Sequence, residues 1–236
     1  VIRAFALYHL LDFWGQYPIR NPGDDLLLAP EVKTGEDAID FIISEILTAL
    51  PNLPTSSVTK ISPDAAKVLL MRCYLNKGAF INRETPTFAT EDMQRVISYG
   101  NEIITSGKYS YMENFFDNFS PTNENSTEAI LSWPNTGGKS VDNSSPQMNW
   151  IVSVHYNSYS KLYGDAGWNG LATTTPFYEA FNCTDDLPVT FSPADTIWDL
   201  RLGGRVTSNV TSTFTSGIRP GFLVGQQYNE NKEEIY

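Results

Sequence analysis

Apolar residues recur at helical spacing in three separate runs of this 236-residue chain, and each run ends at its own stop signal. The runs cover residues 4–17, 38–54 and 65–80. Glycine ends a helix because it accepts the left-handed conformation, and proline ends one because it cannot continue the hydrogen-bond ladder. The stop signals of the three runs are Gly15 with Pro18, Pro51 with Pro54, and Gly78. The first part of the chain is therefore predicted to be helical.

Apolar stripes mark the faces that these helices are expected to bury. In the second helix the stripe is Ile39, Ile42, Ile43, Ile46 and Leu50, and in the third it is Ala66, Leu69, Leu70, Cys73 and Tyr74. In the first helix the residues at helical spacing are Ile2, Ala6, Leu10 and Phe13. A fourth helix is expected from Thr90 to a stop at Gly107, carrying Val96, Ile97, Ile103 and Ile104.

Capping residues precede two of the predicted helices. Ser62 is expected to cap the third helix, with Pro63 in its first turn, where a missing N–H costs nothing. Thr34 can cap the second helix, with Asp37 three residues further on. These signals support the helix boundaries independently of the apolar pattern.

Four amphipathic helices in residues 1–110 predict a mainly α fold of stacked α-hairpins, as in tetratricopeptide-type repeats. Residues 111–236 are crowded with Asn, Ser, Thr, Gly and Pro, which predicts a loop-rich second half. Within it we expect short strands at residues 129–133 and 206–214 and a helix at 176–181, following Thr175 as cap. So much irregular chain is uncommon in a compact domain unless its loops carry function or wrap a rigid scaffold. We therefore expect a scaffold at 1–110 and a ligand-binding subdomain packed on it at 111–236.

Composition limits the class of partner. The apolar fraction of 41% and aromatic fraction of 13% favour a folded globular protein. A formal charge of −11 makes nucleic acid an improbable ligand, because phosphate binding needs clustered Lys and Arg. No apolar run approaches the roughly 18 residues that span a membrane. Because the first residues already follow a helical pattern, we expect the chain to be a piece of a longer protein.

The two cysteines lie in unlike surroundings, Cys73 on an apolar helical face and Cys183 in a polar loop. A disulfide between them is not expected, and Cys73 is predicted to be a buried free thiol.

Several short segments, taken in chain order, resemble the middle of the SusD/RagB family, the surface nutrient-binding lipoproteins of Bacteroidetes. These segments are residues 12–19, 49–54, 69–78, 107–109, 167–170, 177–181 and 199–202, the last with Leu200 where the family usually has proline. The matched motifs are patterns of apolar and turn residues and contain no catalytic signature. The resemblance implies a tetratricopeptide-like scaffold for the helical part.

The same resemblance implies a function. It predicts a non-enzymatic, cofactor-free protein held at the outer membrane by a lipidated cysteine that lies outside this chain. Such a protein lies over a SusC-like TonB-dependent transporter and captures oligosaccharides or, in some members, peptides.

Residues 150–168 are the segment richest in potential sugar-binding groups. Sugars bind to flat aromatic faces through their CH groups and to carboxamide, carboxylate or basic side chains through their hydroxyls. The predicted ligand-binding residues are Trp150, His155, Tyr156, Asn157, Tyr159, Tyr163, Asp165 and Trp168. The alternative is that these rings pack the loops onto the helices. Trp14 and Tyr17, at a helix end, are expected to have such a structural role.

Three other interpretations compete with sugar binding. A glycosidase would need two carboxylates at a fixed distance, and the adjacent pairs Asp24-Asp25 and Asp185-Asp186 are better read as surface charge. A metal site is not supported by the sequence. His9 and His155 do not have the spacing of metal ligands, and there is no Asp-rich calcium loop. The stacked helices alone would suit a protein-docking module that never binds sugar.

Overall fold

The computed structural model describes residues 1–55, 58–120, 122–133 and 172–181. The chain divides into two compact units, Val1–Pro134 and Asn135–Tyr236. The described part is rich in helix. The predicted strand at 206–214, the segment at 199–202 and Cys183 lie outside the described residues, and the predicted boundary at residues 110 and 111 stays a prediction.

The described residues of the first unit form four helices and one short hairpin. The helices are α1 (Ile2–Trp14), α2 (Gly35–Ala49), α3 (Pro63–Ile81) and α4 (Thr90–Thr105). The strands are β1 (Gln16–Ile19) and β2 (Glu31–Thr34), and short 3-10 turns cover Leu50–Asn52, Phe115–Phe119 and Asn123–Asn125. Along the chain each helix packs against the next one, so α2 contacts both α1 and α3, and α3 contacts α4.

The core of this unit confirms the stripes predicted for α2 and α3. All the named residues are buried except Leu50, which is partly buried and packs against the same core. Cys73 is a buried free thiol as predicted, and burial raises the pKa of its thiol to about 12. A thiol with so high a pKa is a poor nucleophile at neutral pH.

Of the residues named at helical spacing in α1, only Leu10 packs against the core, and it is partly buried. The buried face of α1 is Ala4, Leu7, Tyr8 and Leu11, whereas Ile2, Ala6 and Phe13 are exposed. Because α1 is apolar on nearly every side, both faces show helical spacing, and the period alone could not tell which face is buried. In α4, similarly, Ile103 is buried while Ile97 and Ile104 are exposed.

Three of the predicted helix-end signals, Ser62, Gly15 and Gly107, are confirmed. The Ser62 hydroxyl accepts a hydrogen bond from the Ala65 backbone N–H at 3.2 Å, and Gly15 and Gly107 take positive φ values of 70° and 64°. Gly78, however, does not end α3, which continues to Ile81. A Cβ at Gly78 would lie 2.0 Å from the Thr87 carbonyl oxygen, so this glycine allows the chain after α3 to approach the helix.

The β1–β2 hairpin was not predicted. Its antiparallel register pairs Gln16 with Thr34 and Ile19 with Glu31. Thr34 then stands at the start of α2 as predicted, but its side chain makes no capping hydrogen bond. Strands of four residues are too short to show a clear alternating pattern, which explains the omission.

Two expectations for the second half fall partly on described residues. Residues 129–133 do not form a strand, and the Ser132 N–H instead donates to the Val58 carbonyl oxygen at 2.6 Å. The helix expected at 176–181 is present as α5 (Thr175–Glu179), with Thr174 rather than Thr175 at its N-cap position.

Candidate ligand-binding surfaces

All eight residues predicted to bind ligand lie outside the described residues. They are Trp150, His155, Tyr156, Asn157, Tyr159, Tyr163, Asp165 and Trp168. Their role stays a prediction. The described residues offer two other candidate surfaces, one aromatic and one polar.

The aromatic surface lies on α1 and consists of Phe5, His9, Phe13 and Trp14, which we call the aromatic row. Phe5, His9 and Phe13 are four residues apart and therefore lie along one side of the helix. Ring centroids are 4.5 Å apart between Phe5 and His9, 6.2 Å between His9 and Phe13, and 5.6 Å between Phe13 and Trp14. Phe13 is 71% exposed and Trp14 67% exposed. The row is a continuous set of rings, exposed at Phe5, Phe13 and Trp14 and partly buried at His9.

This exposure corrects the structural role expected for Trp14. The matching expectation for Tyr17 is confirmed, because its ring is fully buried and its hydroxyl donates to the Ala38 carbonyl oxygen at 2.6 Å. Burial also raises the pKa of Tyr17. Trp14 and Tyr17 thus differ in role. Trp14 ends α1 with its ring exposed, whereas Tyr17 lies on the buried side of β1.

The helix that carries the aromatic row is held firmly at its C-terminal end. The Gly15 N–H donates to the Leu11 carbonyl oxygen at 2.8 Å. The Arg83 guanidinium donates to the carbonyl oxygens of Leu11 and Asp12 at 3.1 and 3.0 Å. These bonds satisfy carbonyl groups that a helix end otherwise leaves without partners. Phe13 and Trp14 are therefore presented from an ordered backbone.

The polar surface is a cavity of about 190 Å³ at the N-terminal end of α3. Polar and apolar side chains share its lining, which consists of Thr55, Val58, Ser62, Pro63, Asp64, Lys108, Tyr109 and Ile130. Asp64 is the central group, because its side chain is only 7% exposed and three other side chains converge on it.

We call Asp64, Lys67, Lys108 and Tyr109 the Asp64 cluster. The Lys108 ammonium lies 2.7 Å from Asp64 Oδ2, and the Tyr109 hydroxyl donates to the same oxygen at 3.2 Å. Lys67 Nζ lies 3.9 Å from Asp64 Oδ1 and 2.9 Å from Glu102 on α4. Asp64 is also in the first turn of α3, where the helix dipole favours a negative charge. The cluster therefore ties the segment after α4 to the start of α3.

The electrostatics of the Asp64 cluster favour the charged pair. Burial by itself would raise the pKa of Asp64, but hydrogen bonds from Lys108 and Tyr109 and the charges of Lys108 and Lys67 outweigh it, so the pKa is lowered. The hydrogen bond and charge of Asp64 raise the pKa of Lys108. Burial, followed by the charge of Asp64, raises the pKa of Tyr109. The carboxylate is ionised and well paired at neutral pH, which suits a structural anchor better than an acid or base catalyst.

Sequence reasoning noted Lys108 and Tyr109 only as part of a motif and missed Asp64. Asp64 is 44 residues from Lys108 in the chain, and no local pattern connects them. A single Asp in a first turn ordinarily indicates helix-dipole stabilisation and nothing more.

The acidic pair Asp24-Asp25 has a local structural role. Asp24 Oδ2 accepts a hydrogen bond from the Asn21 N–H at 2.6 Å, and Asp25 Oδ1 accepts one from the Leu27 N–H at 2.9 Å. Asp185-Asp186 and His155 lie outside the described residues. Across the described ranges there is no group of three or more His, Cys, Asp or Glu side chains that could hold a metal ion.

No family model matches the sequence, and no curated protein matches it. In the part of the chain that the structure describes, no helix is both long and apolar enough to cross a membrane.

Proposed function

We propose that this chain is a non-enzymatic oligosaccharide-binding protein of the SusD/RagB kind, which captures nutrient at a cell surface. The structural observation that carries the proposal is the aromatic row, because exposed rings on a rigid helix are the groups that stack on sugar rings. Asp12 and Gln16 are exposed beside Phe13 and Trp14 in the sequence. Their carboxylate and carboxamide groups are of the type that hydrogen-bonds sugar hydroxyls.

The proposal includes a tetratricopeptide-like scaffold of stacked α-hairpins with a loop-rich second half. Support comes from the packing of α1 to α4, in which each helix contacts its neighbour in the chain. The motif Gly107-Lys108-Tyr109, part of the resemblance to the SusD/RagB family, coincides with the anchor on Asp64. In this chain the motif therefore makes a specific tertiary contact with the buried carboxylate of Asp64.

Partner and location rest on the resemblance. The proposed partner is a SusC-like TonB-dependent transporter at the outer membrane, and the proposed membrane attachment is a lipid anchor outside this chain. Open sites built from stacking rings bind weakly, and affinities from millimolar to micromolar correspond to about −4 to −8 kcal/mol. Removing one stacking ring should then weaken binding at least about tenfold.

The test is to titrate the chain with a panel of soluble oligosaccharides, using calorimetry and tryptophan fluorescence. Trp14→Ala is compared with Trp133→Ala, since Trp133 is a second, almost fully exposed tryptophan outside the aromatic row. Loss of binding in Trp14→Ala but not in Trp133→Ala would support the row as a sugar surface. A parent chain that is folded but binds no oligosaccharide would contradict the proposed function.

The predicted residues at 150–168 are tested in the same titration through Trp150→Ala, Tyr159→Ala and Tyr163→Ala. If sugar binds and only these variants lose it, the function stands and the site lies in that segment. If the chain binds peptides but no sugars, the nutrient-capture function stands and its ligand class is peptide.

A docking module that never binds sugar is the second candidate function. Exposed Ile97 and Ile104 on α4 favour it, because apolar side chains on a helix surface suit contact with another protein. Tight binding to a transporter by a chain that ignores every sugar and peptide would support this alternative.

A further inference from the structure

Three consecutive leucines form an exposed tip between β1 and β2. Leu26 is 79% exposed, Leu27 94% and Leu28 66%, and we call these residues the leucine tip. Among the described residues, no other run of three places large apolar side chains so far into solvent. Exposing adjacent apolar side chains is unfavourable in water, so a run of this kind indicates a contact surface.

Four of the six backbone polar groups of the leucine tip have a partner within the chain. The Arg20 guanidinium donates to the Asp25 carbonyl oxygen at 2.8 Å, to that of Leu28, and more weakly to that of Leu26 at 3.5 Å. The Leu27 N–H donates to the Asp25 carboxylate at 2.9 Å, and the Leu28 N–H donates to the Asp25 carbonyl oxygen at 3.2 Å. The leucines are thus presented by a loop whose backbone needs few hydrogen bonds from its surroundings.

Internal hydrogen bonds of the backbone make it easier for such a loop to move from water into an apolar medium. A segment that enters an apolar medium is strongly disfavoured by each backbone N–H or C=O left without a partner. In the leucine tip the internal bonds reduce that cost before any contact is made. The three leucines are therefore suited to contact with a medium that offers few hydrogen bonds.

We propose that the leucine tip inserts into a lipid surface that carries little negative charge. Its composition favours lipid over a protein partner, because protein hot spots are enriched in Trp, Tyr and Arg and poor in Leu. The three side chains are also largely exposed, so a fluid acyl region can surround them without a preformed pocket.

The charge around the tip selects the kind of lipid. Asp24 and Asp25 flank it directly, Glu31 follows in β2, and the guanidinium of Arg20 is already engaged by the loop. The whole chain carries a formal charge of −11. Anionic headgroups would repel this surface, whereas zwitterionic headgroups would not.

The first experiment measures flotation of the intact chain with vesicles of pure phosphatidylcholine and with vesicles containing added phosphatidylglycerol. Three leucines bury less apolar area than one acyl chain, so the partition constant should be below about 10⁴ M⁻¹, and an excess of lipid is needed. Leu27→Ser should lower partitioning about tenfold, whereas Leu75→Ser, at a half-exposed leucine on α3, should leave it unchanged. Circular dichroism checks that both variants are folded.

Three results would overturn the proposal. The parent chain could fail to float with phosphatidylcholine, Leu27→Ser could float as well as the parent, or binding could appear only when phosphatidylglycerol is added. The last result would indicate adsorption by charge and not insertion of leucine.

A second variant tests the ordered loop separately from its leucines. Arg20→Lys keeps the positive charge but cannot reproduce a guanidinium that donates to several carbonyl groups. Partitioning should fall severalfold although all three leucines remain. If Arg20→Lys partitions like the parent, the internal hydrogen bonds do not assist insertion and the argument from the backbone is wrong. Sugar titrations of the same variants report on the proposed function independently.

Discussion

In the Asp64 cluster nearly every polar group has a partner inside the chain, whereas in the aromatic row the rings of Phe13 and Trp14 are mostly exposed. Both belong to the same unit. The polar groups of the Asp64 cluster hold two segments of the chain together, whereas the exposed ring faces of the aromatic row remain available for a ligand. Side chains that interact fully within the fold stabilise it, whereas exposed side chains with few internal contacts are the ones that a ligand can bind. This contrast can be tested from both sides.

The largest effect is expected from Asp64→Asn. The substitution keeps the size of the side chain but removes the charge that Lys108 and Tyr109 contact. Because a hydrogen bond to a buried charge contributes more than a neutral one, the free energy of unfolding should fall by about 2 kcal/mol. Urea denaturation measures this. Glu113→Gln, at an exposed residue, is the control and should change stability by less than about 0.5 kcal/mol.

Acid should remove the same contribution gradually. The pKa of Asp64 lies below its ordinary 3.8 in the folded chain, so its stabilisation is complete above that pH and is lost as the pH falls through the folded value. Glu128 adds a similar trend, because hydrogen bonds from Asn118 and the Met112 N–H lower its pKa. Urea midpoints are measured for the parent and for Asp64→Asn from neutral pH into this acid range. The difference between the two midpoints at each pH reports the contribution of Asp64, and it should shrink as the pH falls. Parallel pH profiles would show that Asp64 is not held as described.

Tyr109→Phe should have a smaller effect, since it removes one hydroxyl and keeps the ring. The lost hydrogen bond to Asp64 should cost about 1 kcal/mol of unfolding free energy. The pH profile of this variant should also shift, because the hydroxyl helps to keep the pKa of Asp64 low. An unchanged profile together with an unchanged midpoint would mean that Lys108 holds the carboxylate without help from Tyr109.

The smallest effect on stability is expected in the aromatic row. Phe13→Ser exchanges an exposed ring for a small polar group, so unfolding free energy should change by less than about 0.5 kcal/mol. Oligosaccharide affinity should nevertheless fall if the row binds sugar. A loss of 2 kcal/mol or more in urea denaturation would reverse the comparison, since it would mean that Phe13 stabilises the fold.

The leading elements of the fold were accessible from sequence where two signals agreed. In α3 an apolar stripe, the Ser62 cap and Pro63 all indicated the same helix, and its start and buried face are as predicted. The predicted end of α3 was wrong. Gly78 does not stop the helix but leaves room for the backbone of Thr87 to pack against it. One glycine can permit either arrangement, and only the packing of the following segment decides between them.

The candidate sites were less accessible. Trp14 and Tyr17 look alike at a helix end, and only the β1–β2 hairpin separates the buried ring from the exposed one. Asp64 and Lys108 meet across 44 residues of chain, which no local spacing encodes. The residues predicted at 150–168 stay a prediction.

The sequence by itself determined the four helices within residues 1–110 and the buried faces of α2 and α3, because periodicity and capping are local properties of the chain. It did not determine which side of α1 is buried, which ring of its C-terminal end is exposed, or which carboxylate anchors Lys108. Those were decided by the tertiary structure, since burial and ion pairing depend on which distant segments pack together.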